Sequence, residues 1–161
     1  MTKFATSTLT CASACALLLA TALLQTGCAA PAMGGRDAGP KGTVEVTSAT
    51  LGNVTITPSA CVTGEYHLFL GADFVDSTSG NTFRVVLQPT GEAILRVFST
   101  AKPLQRGIVF SQSACSKFQL SFERTGWRIN DFYDIQMSLD VDCRTASGEA
   151  LQGMLTVAHC H

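Results

Sequence analysis

With 161 residues and a formal net charge of -1, the chain has room for one domain and lacks the basic surplus by which nucleic-acid-binding proteins meet phosphate. Its 46% apolar content is raised by the N-terminal segment. No block of like charge marks an acidic or basic tail, and nothing recurs at the period of a solenoid.

Lys3 is the only charged residue before Arg36. Ala12 to Leu24 is a run of small and apolar residues, the length of a signal-peptide core and short of the roughly 20 needed to cross a bilayer. Small residues follow at Thr26 and Gly27, ahead of Cys28. A short positive start, an apolar middle and small residues at a cut site describe a secretory signal over residues 1–27.

The stretch Leu24-Gln25-Thr26-Gly27-Cys28 resembles the lipobox of bacterial lipoproteins. In that family the motif is Leu, a small residue, Gly or Ala, then Cys. The cysteine receives a diacylglycerol, the signal is removed before it, and the new amino group is acylated. Gly27 and Cys28 match and Thr26 is acceptable; Gln25 stands where an aliphatic residue is usual, with Leu24 one position further out. The resemblance implies lipidation at Cys28 and a membrane partner reached through that lipid. Ala29 follows the cysteine, and the lack of Asp there resembles lipoproteins of the outer membrane. A conventional cut near Cys28-Ala29-Ala30-Pro31-Ala32 would instead release a free secreted protein. The resemblance covers the signal alone.

Residues 28–42 hold the lipidated cysteine and an Ala/Gly/Pro-rich stretch that cannot bury enough apolar surface to order itself, so a flexible tether is expected there. From Thr43 to the end, residues 43–161, the pattern is that of strands. Asn53–Thr57, Glu65–Val75, Thr82–Gln88, Glu92–Ser99 and Gly107–Ser111 are short runs rich in Val, Ile, Leu, Phe and Thr. Turn signals separate them, among them Ser77-Thr78-Ser79-Gly80-Asn81 and Pro89-Thr90-Gly91. Lys117–Arg124 alternates with Phe118, Leu120 and Phe122 inward, and Thr125-Gly126 reads as the next turn. Asp134–Cys143 alternates over ten residues, Ile135, Met137, Leu139, Val141 and Cys143 on one face and Asp134, Asp140 and Asp142 on the wet one. Leu151–Cys160 closes the series after Ser147-Gly148. No helical period survives beyond the signal. The expectation is an all-β fold: a small antiparallel sandwich or barrel of about eight or nine strands, a meander at least from residue 117 onward. Trp127 and eight phenylalanines, from Phe69 to Phe132, are expected to supply much of the core.

Seven cysteines are an awkward number for an exported chain. The signal resolves it: Cys11 and Cys15 leave with the peptide and Cys28 takes the lipid. Cys61, Cys115, Cys143 and Cys160 remain, an even set that reads as two disulfides. Strand register chooses the pairs. A hairpin around Ser147-Gly148 puts Cys143 and Cys160 at opposite ends, nearly 30 Å apart at about 3.3 Å per residue. The preceding hairpin, turning near Arg128, brings Cys115 to the end that holds Cys143. Cys115 has the wrong parity for a direct cross-strand bond but lies where the chain can bend. Cys115–Cys143 is therefore expected, leaving Cys61–Cys160.

No catalytic constellation stands out. There is no Gly-x-Ser-x-Gly and no Ser-x-x-Lys, and nothing gives His67 a nucleophile to activate. His159-Cys160-His161 has zinc or copper ligand types, but the disulfide claims Cys160. The Asp73–Asn81 loop comes nearest to a calcium loop and lacks its spacing. No metal and no cofactor are expected, and no enzyme activity. Thr125-Gly126-Trp127-Arg128-Ile129-Asn130 is the most unusual loop, holding the only Trp. If exposed, Trp127 with Arg128 and Asn130 would contact a sugar ring or a protein partner; the preferred expectation is a Trp127 folded back to plug the core. The expected function is a lipid-anchored extracytoplasmic β-domain that binds an envelope protein or a glycan, or associates structurally, at the bacterial cell envelope. Small disulfide-bonded β-barrel lipoproteins that inhibit lysozymes are similar in size and layout, which keeps an inhibitor of an extracytoplasmic enzyme, and a carbohydrate-binding module, as alternatives.

Overall fold

A computed structural model describes residues 39–102 and 107–161. The signal over residues 1–27, Cys28 and the tether through residue 38 lie outside the described residues. Alternation of apolar and polar side chains builds ten strands: β1 Lys41–Ser48, β2 Gly52–Ile56, β3 Ala60–Thr63, β4 Gly71–Asp76, β5 Asn81–Leu87, β6 Ala93–Ser99, β7 Ile108–Ser111, β8 Cys115–Ile129, β9 Phe132–Arg144 and β10 Ala150–Cys160. They form two five-stranded antiparallel sheets, in the orders β2-β1-β10-β9-β8 and β3-β4-β5-β6-β7. The fold is a β-sandwich with the meander β8-β9-β10 as expected. The second sheet is a meander throughout.

The inner faces interlock through Val44, Val46, Ile56, Leu139, Leu151 and Leu155 from one sheet and Phe74, Phe83, Val85, Leu95 and Phe110 from the other, all 2% exposed or less. Each such side chain removed from water contributes roughly 1.5–3 kcal/mol. Of the aromatic set expected inside, Phe74, Phe83 and Phe110 are fully buried. Phe118, Leu120 and Phe122 point inward but stay half-buried because β8 is an edge strand.

Most strand ends fall within a residue or two of the sequence reading, and the larger differences lie in the first half of the chain and in β8. β1 begins two residues before Thr43. The run Glu65–Val75 is not one strand: Gly64–His67 forms a 3-10 turn ending at Leu68 (φ 63°), and β4 starts at Gly71. A strand also precedes that turn, the short β3 around Cys61. Thr125-Gly126 is no turn; β8 runs on to Ile129, and the reversal falls at Asn130-Asp131, both at positive φ (50° and 69°) as a two-residue hairpin turn requires.

Both expected disulfides are present, Cys61–Cys160 and Cys115–Cys143. Cys115 lies directly opposite Cys143 because a bulge between Cys115 and Lys117 adds one residue to β8 and corrects its parity. A second bulge between Val157 and Cys160 does the same in β10. Cys160 is therefore fully buried on the side of Leu155 and Val157, with which its position in the sequence is out of step. It reaches Cys61 on β3 and ties one sheet to the other.

Candidate functional site

The end of the sandwich where β8 meets β9 carries the most organised polar group of the described residues. Opposite Asp134, β8 bulges: Arg124 pairs with Ile135 and Arg128 with Tyr133, so four steps on β8 match two on β9. The bulge turns Asp134 off the wet face on which strict alternation had placed it, and the residue is 2% exposed. A buried carboxylate needs hydrogen bonds in place of water. The Cys160 N–H donates to Oδ1 at 2.9 Å, the Thr125 hydroxyl lies 2.9 Å from Oδ2, and His159 Nδ1 lies 2.9 Å from the same Oδ2. The carboxylate accepts, so Nδ1 carries the hydrogen. His161 Nδ1 stands 3.9 Å from Oδ1.

Around this carboxylate lies a hollow of about 350 Å³ lined by Trp127, Arg128, Ile129, Asp134, His159 and His161. A second, of about 380 Å³, shares Ile129 and His161 with the first and adds Val62, Thr63, Tyr66, Asn130 and Phe132. Thr63 is 1% exposed, and its hydroxyl has no hydrogen-bond partner. Trp127 does not plug the core: it is 61% exposed, and its backbone N–H donates to the Thr125 hydroxyl oxygen. Asn130 forms the reversal and lines the second hollow, and Arg128 lies over the Tyr133 ring at 4.3 Å. The structure thus brings Trp127, Arg128 and Asn130 to one end of the molecule.

Sequence reasoning missed Asp134 as an organiser and Tyr66 as a neighbour. Tyr66 sits on the 3-10 turn, 63% exposed, its ring centroid 5.6 Å from that of Phe132 in an edge-to-face contact. Glu65 on the same turn pins it to the hairpin, accepting the Tyr133 N–H at 3.0 Å and pairing with Arg124 at 2.6 Å. A signal was present in the two histidines spaced about Cys160, which were weighed only as metal ligands. No group of three His, Cys, Asp or Glu suited to a metal occurs among the described residues.

The other ionisable groups are structural. Asp73 is no part of a solvated loop: buried on β4, it takes a bidentate bond from Arg84, 2.7 Å to each oxygen, while His67 stands 3.7 Å away. Asp76 turns the β4-β5 hairpin by accepting the N–H groups of Thr78, Ser79 and Thr57. Burial raises its pKa, but those bonds outweigh it and hold the carboxyl below its ordinary value. A larger hollow of about 540 Å³ is lined by Gly42 and Gly153, where the strands approach so closely that a Cβ would meet the Met154 or Thr43 carbonyl; its one acid, Glu45, already accepts from Gln152. It lacks the aromatic and buried charged groups of the hairpin end. Comparison of the chain with protein-family models, curated proteins and solved structures finds no match.

Proposed function

We propose that this is an exported, lipid-anchored β-domain that works by non-covalent association at the bacterial cell envelope, through the end of the sandwich that carries Trp127. One observation carries the surface assignment. Of the seven large apolar side chains left exposed among the described residues, Tyr66, Leu68, Leu70, Trp127 and Ile129 fall on the two segments that build this end, whereas Val109 and Met154 lie apart. Rings beside fixed polar groups are the usual make-up of a contact surface. The lipobox-like sequence at Gly27-Cys28 supports the anchor, and the Ala29 after it supports an outer-membrane address.

Catalysis is not proposed. Asp134 and His159 stand as an acid–imidazole pair, but the hydroxyl beside them, that of Thr125, is engaged on the carboxylate and the Asp134 carbonyl. It is not aligned as a nucleophile toward the imidazole. A second reading is a carbohydrate-binding module: the exposed Trp127 beside Arg128, Asn130 and the unsatisfied Thr63 hydroxyl suits a sugar ring. An inhibitor of an extracytoplasmic enzyme such as a lysozyme would use the same end.

Metabolic labelling with a palmitate analogue tests the anchor, tagging the wild type and not Cys28→Ala. Equal labelling of both would remove it. For the surface, retention of the chain on isolated envelopes should fall severalfold in Trp127→Ala and stay unchanged in Val109→Ala. Slowing of a lysozyme by the chain would select the inhibitor reading.

A further inference from the structure

The place where the domain begins sets which way this surface faces. Lys41 pairs with Thr156 near the end of β10, and Gly39 lines one hollow with Gln136, Val157 and Ala158. His159 and His161, which line the site, follow at once. The chain therefore leaves the sandwich toward Cys28 at the end that carries Trp127. The turns Thr145–Gly148 and Ser48–Gly52 lie at the far end of the same strands.

Ten residues, and so eleven Cα-to-Cα steps, lie between Cys28 and Gly39. Fully extended they reach about 40 Å, and a coil of that length averages about 18 Å end to end. β8 alone, with 15 residues, is up to about 50 Å long. A tether shorter than the domain holds the near end at the bilayer and keeps the far end from turning to meet it.

The near end also carries side chains that cost the fold something in water. Leu68 is 95% exposed and sits at φ 63°, a conformation unfavourable for a leucine and natural for a glycine. Trp127 and Tyr66 are 61% and 63% exposed. Trp and Tyr, with Arg beside them, suit the boundary between headgroups and acyl chains, which accepts their rings and their polar atoms together. Arg128 supplies a cation over the Tyr133 ring, on which Arg124, paired with Glu65, also stacks.

From these placements we infer that Leu68, Tyr66 and Trp127 form a foot that enters the headgroup–acyl boundary of the same bilayer that holds the lipid on Cys28. The inference rests on the anchored reading above. A docked foot adds a second point of attachment and fixes the orientation of the domain. Whatever partner it meets is then met at the membrane surface.

Trp127 is the only tryptophan in the chain, so its emission reports this contact without a label. The full chain, taken from cells fed the palmitate analogue, is reconstituted in 3:1 phosphatidylethanolamine–phosphatidylglycerol vesicles containing phospholipid brominated on the upper acyl chain. Expected are a blue shift and quenching of at least half the emission. Leu68→Gly, which the local backbone favours, should keep or raise the melting temperature while reducing the quenching about twofold; Val109→Asp should leave it unchanged. Full quenching in Leu68→Gly would remove Leu68 from the foot. Labelled Cys28 without quenching overturns the foot and leaves the anchor. Quenching without label keeps the foot and overturns the anchor, and neither signal overturns both. An emission shift with soluble oligosaccharide and none with brominated lipid assigns the surface to sugar and overturns the inference.

Discussion

Asp134 shows how one residue holds a site together. Its carboxylate is the acceptor for the Cys160 N–H, the Thr125 hydroxyl and His159. Asp134→Ala removes the acceptor of all three bonds at once and leaves the buried Cys160 N–H unpaired. The cost should be roughly 3 kcal/mol, a fall in melting temperature on the order of 10 °C. Asp134→Asn keeps an acceptor and should lose less than half as much. Calorimetry of the two variants checks this, and an Asp134→Ala within about 0.5 kcal/mol of wild type would show the network to be idle. Asp76 gives a pH dependence. Its carboxyl is held below the ordinary value in the folded chain, so its contribution is complete above about pH 4 and is lost as pH falls through the folded pKa. Asp76→Asn should flatten the acid limb of the stability profile. An unchanged limb would place that dependence on other carboxylates.

At the scale of elements, the sequence was most legible where alternation was strict and local. The ten-residue pattern of Asp134–Cys143 predicted β9 and the inward side of every residue but its first. Asp134 escaped because its burial depends on a bulge in another strand, opposite it in β8. Period-two reading carries no information about a partner's extra residues. The same limit hid the inward turn of Cys160 and the direct facing of Cys115 and Cys143, although the pairing survived because it rested on which ends meet. Thr125-Gly126 looked like a turn because glycine serves turns and bulges alike. The true reversal, Asn130-Asp131, has no glycine and lies just past Arg128, near which the pairing of strand ends had set it. The candidate site was legible in part: Trp127, Arg128 and Asn130 do lie together. Tyr66 could not be placed beside them, since its contact with Phe132 joins the 3-10 turn to a strand far from it in sequence.

For the whole molecule, the two disulfides act at different ranges. Cys115–Cys143 closes a loop of 28 residues and staples neighbours in one sheet. Cys61–Cys160 spans 99 residues and joins the two sheets beside Asp134, whose carboxylate takes the Cys160 N–H. On chain-entropy grounds the first restricts the unfolded state by about 3.5 kcal/mol and the second by about 4.7 kcal/mol. The difference alone is small. The second bond, however, also fixes the strand that carries His159 and His161. Cys61→Ala/Cys160→Ala should therefore lose more stability than Cys115→Ala/Cys143→Ala. It should also loosen the hairpin end, seen as faster amide exchange at Thr125–Asp134 and a shift in Trp127 emission. Cys115→Ala/Cys143→Ala should leave that emission as in the wild type, because the staple sits at the opposite end of β8 from Trp127. Equal changes in emission from both pairs would mean that the sandwich end is held by the sheet as a whole and not by the tie between sheets.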